Sequence, residues 1–184
     1  MIAGPNGAGK TTYYENYLKK SGLPYVGADR IGAATGVGAY EAAKMADDLR
    51  REYVKQGLGF VAETVFSDPT GDKLNFLREA MAAGYEVTLI YIGLDSPGLA
   101  QMRVGQRVEQ GGHDVPDEKI AARYPRSLAN LAAAVAFVSR VTVYDNSSFD
   151  EPFRWLGEFR GGRLVRQATG TMPKWAETLI VTSK

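Results

Sequence analysis

Residues 4–12 read "GPNGAGKTT", and this stretch decides the fold class. It fits the pattern G-x-x-x-x-G-K-[ST], with Gly4, Gly9, Lys10 and Thr11 at the fixed positions. Glycines let backbone N–H groups turn toward an anion with no Cβ in the way. Lys10 can reach the β- and γ-phosphates of a nucleotide, and the Thr11 hydroxyl can sit on Mg²⁺. The run Gly4, Pro5, Asn6, Gly7, Ala8, Gly9, Lys10, Thr11 and Thr12 is therefore the expected cradle for ATP. The following "KTTYYENYLKK" reads as a helix whose positive N-terminal end points at the phosphates. The Lys10 side chain is expected to be open to solvent when no nucleotide is bound. Only Met1, Ile2 and Ala3 precede the loop. A strand usually runs about five or six residues, so upstream strand residues are expected to be missing.

At 184 residues the chain is expected to form a single domain, 1–184, with a sizeable core. The formal net charge is +1, with acids and bases interspersed. That balance gives no support to a broad nucleic-acid surface or an anionic-membrane surface. There is no cysteine, hence no disulfide and no thiolate metal site, which fits a cytoplasmic protein. The longest apolar-rich run, "LANLAAAVAFV" (residues 128–138), is too short to span a membrane and reads as a buried helix.

Helical and strand-like segments alternate along the chain, the α/β pattern. A short strand is expected at Tyr25 and Val26, with a polar exit at Asp29. "YEAAKMADDLRREYVKQG" reads as a long helix, "GFVAETVFS" as a strand leading into Glu63, and "DKLNFLREAMAAG" as a helix. "EVTLIYIGL" is a continuous apolar run, as a central parallel strand requires. "PGLAQMRVGQRVEQGG" and "PDEKIAARYPRSLANLAAAVAFVSR" read as helices, the second with a kink or break expected at Pro125. "VTVYDNS" is a fifth strand, "FRWLGEFRGGRLVRQ" a hairpin turning at Gly161 and Gly162, and a short helix follows Pro173. The expected fold is a doubly wound parallel sheet of about five strands, first strand central, with a helical lid and a small C-terminal hairpin. Ligands in such sheets bind beyond the carboxyl ends of the strands, which singles out Asp29, Glu63, Asp95, Asp145 and Asn146.

The loop alone does not say whether its phosphate is spent, read or passed on. ABC-type ATPase subunits share these letters but also carry an L-S-G-G-type motif, which is absent here. Asp68-Pro69-Thr70-Gly71 matches the D-x-x-G of GTPases, yet no N-K-x-D accompanies it. Phosphoryl transfer to a small molecule needs a base, cations for the moving phosphoryl and a lid against water. Arg103 and Arg107 lie one helical turn apart and face the same way, with Gly111 and Gly112 behind them. Arg123 and Arg126 sit on the next helix, whose apolar face runs through Ile120, Tyr124, Leu128, Leu131 and Val135. Arg123, Ser127 and Asn130 fall on another face. Arginine suits the task because it stays charged and donates in a fork matched to phosphate.

"GPNGAGKTT", "GAD", "ETVFS", "RVEQGGHDVP", "RYPRSLANL" and "YDNS", in this order and spacing, resemble the zeta-toxin-like P-loop kinases. The branch in question is often labelled predicted ABC-type ATPases. The resemblance runs over nearly the whole chain and fades past Ser148. It implies an ATP- and Mg²⁺-dependent kinase acting on the 3′-hydroxyl of UDP-N-acetylglucosamine, restrained by an antitoxin protein. By motif it implies Lys10 and Thr11 at ATP–Mg²⁺, and Asp29 as general base. It also implies Glu63 and Thr64 at substrate or metal, with Arg103, Arg107 and Arg123 as the phosphate-stabilising set. The family often has Asn two places before the aspartate, where this chain has Gly27. A second reading is a nucleotide-binding, ATPase-like or inactive toxin relative that serves as a protein-interaction module.

Asp29 could equally be a helix cap, and Glu63 an ordinary strand-end acid. Asp95 ranks below Glu63, since its strand is expected on the far side of the first strand. His113, the only histidine, reads as a polar lid residue without metal partners. Asn146 is a candidate near adenine, and Trp155 and Trp175 read as packing residues of the tail.

Overall fold

The apolar run "TLIYIG" forms a strand, Thr88–Gly93, whose side chains alternate between two cores. Leu89 and Tyr91 enter one cluster with Phe66, Leu77, Leu131 and Val141. Ile90 and Ile92 enter the other with Ile2, Tyr13, Val104 and Ile120. A strand apolar on both faces needs cover on both, which is the condition of a parallel α/β sheet. Each fully buried Leu or Ile contributes about 1.5–3 kcal/mol relative to exposure. The computed structural model describes residues 1–112 and 114–181, so His113 lies outside the described residues.

The chain forms β1 (Ile2–Ala3), α1 (Lys10–Tyr13), β2 (Tyr25–Val26), α2 (Ala28–Thr35), α3 (Ala39–Lys55), β3 (Val61–Thr64) and α4 (Asp72–Ala82). It continues with β4 (Thr88–Gly93), α5 (Pro97–Glu109), α6 (Asp117–Val135) and β5 (Arg140–Asp145). β6 (Arg154–Arg160), β7 (Arg163–Gln167) and α7 (Lys174–Val181) complete it. The strands pair in the order β2-β3-β1-β4-β5-β6-β7. The first five in that order are parallel, with β1 central between β3 and β4, as expected of a P-loop fold. The expected hairpin does not stand apart: β6 pairs antiparallel with β5 and extends the same sheet to seven strands. Among the described residues no helix is long and apolar enough to cross a membrane.

Three local features differ from the sequence reading. The helix expected after the loop is wound in three ways. α1 gives way to a π-helical stretch, Tyr14–Leu18, and then a 3₁₀ turn, Lys19–Ser21. The wide turn lets two adjacent tyrosines be buried together: Tyr13 packs on Tyr144 and Phe153, and Tyr14 on Tyr25. α2 was not legible, because Gly32 and Gly36 interrupt any apolar period. α6 runs unbroken through Pro125. Pro125 and Ala121, the residue whose carbonyl loses its partner, are both exposed, so water can replace the missing bond. α6 is also buried more widely than its apolar face: Ser127 is fully buried. Its hydroxyl donates to Val65 O at 2.9 Å and pairs with Tyr91 OH at 3.0 Å.

The phosphate loop is fastened to the exit of β5, two strands along the sheet from β1, by one side chain. Asn146, just past β5, is buried; its Nδ2 donates to Ala8 O at 2.9 Å, and its Oδ1 accepts from Phe153 N at 3.0 Å. Asn146→Ala leaves the buried Ala8 carbonyl and the part-buried Phe153 amide without that partner. It should lower unfolding stability by about 1–3 kcal/mol. Urea unfolding measures this, and an unchanged midpoint would show that the clamp carries no stability.

Candidate active site

The cradle is built by close approach. Gly4 has φ +147°, and a Cβ there would lie 2.1 Å from Ile92 O, so β1 can pack on β4 only without a side chain. Gly9 has φ +84°, and a Cβ there would lie 2.8 Å from Asn146 Nδ2. Lys10 opens α1, and its side chain folds back along the loop, where Nζ donates to Pro5 O at 3.0 Å. The residue is only 7% exposed, which corrects the expectation that it stands in solvent. Burial pushes the Lys10 ammonium below its usual range, while Glu63 and Asp29 oppose that shift.

Glu63 lies one residue before the end of β3, beside β1. Thr11 Oγ1 donates to Glu63 Oε2 at 2.9 Å, and the Tyr25 phenol donates to the same oxygen. Burial, with Glu63 second, pushes the Tyr25 phenol above its usual range. Behind Glu63, the buried Arg50 donates from Nη2 to its main-chain O at 2.6 Å and from Nη1 to Asp47 Oδ1 at 2.6 Å. Lys73 Nζ holds both Asp47 oxygens, at 2.7 and 2.6 Å. A hydroxyl and a carboxylate side by side, facing a phosphate cradle, fit Mg²⁺, which takes one or two carboxylates and completes its shell with phosphate oxygens and water. Thr64 Oγ1 accepts from Phe66 N at 3.2 Å, and Phe66 itself adopts φ +60°. Asn130 Nδ2 donates to the carbonyls of Phe66 and Asp68, so α6 shapes the loop after β3.

Asp29 lies in the first turn of α2, which points its positive end toward the cleft. Arg107 Nη1 is 3.7 Å from Asp29 Oδ2, with side chains 40% and 68% exposed. Arg103, one turn earlier on α5, goes elsewhere. It donates to Asn146 O at 2.6 Å and Ser147 O at 3.3 Å, and its guanidinium lies 4.8 Å from the Phe149 ring centre. The two arginines thus share a helix face but serve different ends of the cleft: Arg107 faces Asp29, and Arg103 faces the loop after β5. Asn146 spends its side chain on the clamp. Arg126 donates to Ala122 O of its own helix at 3.0 Å.

One cleft of about 920 Å³ gathers these groups. Its lining includes Asn6, Gly7, Gly9, Lys10, Thr11, Thr12, Asp29, Glu63, Thr64, Arg103, Arg107 and Arg123. Asp95, on the other side of β1, is exposed and outside that lining. Sequence reasoning missed Tyr25, Asp47, Arg50 and Lys73. Tyr25 looked like a strand residue, and Arg50 sits in the polar run "DDLRREY" of a long helix, where no local signal marks it as buried.

Residues 29–151 match the family model described as Zeta toxin. That span holds Asp29, Glu63, Thr64, Arg103, Arg107 and Arg123, and starts after the phosphate cradle. Among solved structures, one of the PezAT chromosomal toxin–antitoxin system of Streptococcus pneumoniae is similar, with 19% identity and a TM-score of 0.59. The match covers 85% of this chain and 69% of that one. A chain of the AvrRxo1-ORF1:AvrRxo1-ORF2 complex solved with ATP is similar with 17% identity and a TM-score of 0.62, over 90% of this chain and 59% of that one. This chain therefore spans about three fifths of that AvrRxo1 chain. Likeness at these identities shows the fold. No curated protein sequence matches.

The buried Lys10 gives a stability test with a sign. Its folded pKa lies below its ordinary value of 10.5. Between those two values the unfolded chain binds more protons, so Lys10 makes stability rise with pH there. Lys10→Met removes a buried charge. It should melt above the parent at neutral pH, lose that rise on going alkaline, and lose nucleotide turnover. Thermal unfolding across neutral and alkaline pH reads this out, and a variant less stable than the parent would contradict it.

Proposed function

The chain belongs to the zeta toxin family, and from that premise we propose that it is an ATP-dependent phosphotransferase acting on a hydroxyl of a small molecule. The acceptor we favour is a nucleotide sugar, UDP-N-acetylglucosamine first. The observation that carries the reading is the shared cleft, in which the phosphate cradle, the carboxylates of Asp29 and Glu63, and Arg103, Arg107 and Arg123 meet. A chain of similar fold has been solved with ATP, which supports ATP as donor.

In this reading the γ-phosphoryl lies over Lys10 and the N-terminal end of α1. Mg²⁺, when bound, neutralises charge on the β- and γ-phosphates. Thr11 and Glu63 are the residues that would hold it. Asp29 takes the proton of the acceptor hydroxyl as that oxygen bonds to the γ-phosphorus. The bond from phosphorus to the bridging oxygen of ADP breaks, and ADP leaves with that electron pair. Lys10, Arg107 and Arg123 offset the charge on the phosphoryl in flight. α5 and α6 carry these arginines as a lid, which keeps water from competing as acceptor. Arg103 lies toward the loop after β5, so in this reading it serves the nucleoside end of ATP more than the moving phosphoryl. A protein antitoxin is the partner this reading expects, supported by the likeness to a toxin–antitoxin system.

Asp29→Asn should separate transfer from binding. Calorimetry should show ATP–Mg²⁺ affinity close to the parent's, because Lys10 and Thr11 hold the nucleotide and Glu63 still offsets the Lys10 charge. Phosphorylated acceptor, read by mass, should fall by roughly 10²–10⁴-fold. Intact transfer would make Asp29 a helix-end acid, and a collapse of ATP binding would move it into the metal shell.

A further inference from the structure

β2 places under the cleft an aromatic hydroxyl that no nucleotide motif requires. The Tyr25 phenol donates to Glu63 Oε2, the oxygen that also accepts from Thr11. The ring is fixed from several sides. Tyr14 packs against it with ring centres 4.1 Å apart, and the Arg30 guanidinium lies 5.6 Å from its centre. Gly27 supplies the remaining space. A Cβ at Gly27 would lie 3.0 Å from Tyr25 Cε1 and 3.2 Å from its hydroxyl oxygen. Gly27 has φ −135° and ψ 136°, extended backbone that any residue adopts, so what a side chain there would meet is crowding by the Tyr25 ring and not backbone strain. Arg50 holds the main chain of the same glutamate from behind. Glu63 is thus fixed at its backbone by one side chain and at its carboxylate by another.

Building on the kinase reading above, we propose that Tyr25 is a positioning residue for the cation that travels with the nucleotide. Its phenol holds the Glu63 carboxylate against the Thr11 hydroxyl, and Gly27 leaves the space its ring needs. A glutamate at a strand end has several rotamers, and choosing one costs entropy at the moment of binding unless it is chosen beforehand. When a cation takes the Thr11 oxygen, the Thr11 hydrogen must turn from Glu63. The Tyr25 hydrogen bond then remains to orient the carboxylate. Outer partners of this kind affect metal affinity by about 10–100-fold.

Tyr25→Phe keeps the ring and removes only the hydroxyl. Mn²⁺ binding to the ATP-loaded protein, followed by electron paramagnetic resonance, should weaken on the order of 10-fold. The Mg²⁺ concentration for half-maximal ATP turnover should rise by a similar factor. ATP affinity in excess chelator and the melting temperature should stay at the parent's values. Gly27→Ala should weaken Mn²⁺ binding in the parent by displacing the ring, and should add nothing in the Tyr25→Phe background. Equal Mn²⁺ binding by parent and Tyr25→Phe would overturn the proposal and leave the kinase reading standing. So would a loss of ATP affinity that appears equally in chelator. A parent that binds no Mn²⁺ with ATP would overturn the kinase reading, and this proposal with it.

Discussion

A lysine ammonium held almost out of solvent, with one carbonyl as its hydrogen-bond acceptor, sets the terms for the rest of the site. Lys10 donates to Pro5 O and is otherwise enclosed by the loop it serves. Such a charge is costly to bury unless opposite charge lies near. Glu63 and Asp29 supply it from the ends of the two strand-to-helix connections on that side of β1. The sheet order makes this happen: β3 pairs directly with β1 and β2 with β3, so both acids arrive on the same edge as the cradle. Arg107 and Arg123 add positive charge on the other side of that balance, so the loop is set to receive an anion.

The walls of the cleft are tied by side chains reaching main-chain carbonyls. Asn146 fastens the cradle to the exit of β5, Arg50 fastens Glu63, and Ser127 and Asn130 fasten the loop after β3. These bonds are long-range in sequence and specify backbone position, which phosphoryl transfer needs more than it needs reactive groups. Arg107 stands 3.7 Å from Asp29 with its side chain 40% exposed, at the mouth of the cleft where the proposed kinase reading puts a closing lid.

The cradle, the central strand and the order of elements were legible because each rests on a local signal: glycines at set spacing, a continuous apolar run, helices between. The hairpin was legible at Gly161 and Gly162, but its attachment to β5 was not, since strand pairing leaves no local trace. Lys10 was misjudged as exposed, because a motif tells which atom a side chain can reach and not where it rests when nothing is there. Arg103 and Arg107 looked equivalent by spacing. The structure divides them because Asn146, Ser147 and Phe149 meet one, and Asp29 the other. Tyr25 was invisible: its role depends on the empty place at Gly27 and on a glutamate 38 residues away.

The central claim is that the γ-phosphoryl of ATP passes to an organic hydroxyl and is not surrendered to water. Its most direct test is the fate of that group, followed by ³¹P NMR and mass on the whole chain with ATP, Mg²⁺ and UDP-N-acetylglucosamine, then with a panel of other hydroxyl metabolites. The account predicts a phosphate monoester on an acceptor, formed in step with ADP and in excess of free phosphate. ADP matched only by inorganic phosphate, at a rate no metabolite changes, would contradict it and leave a nucleotide-binding module in its place.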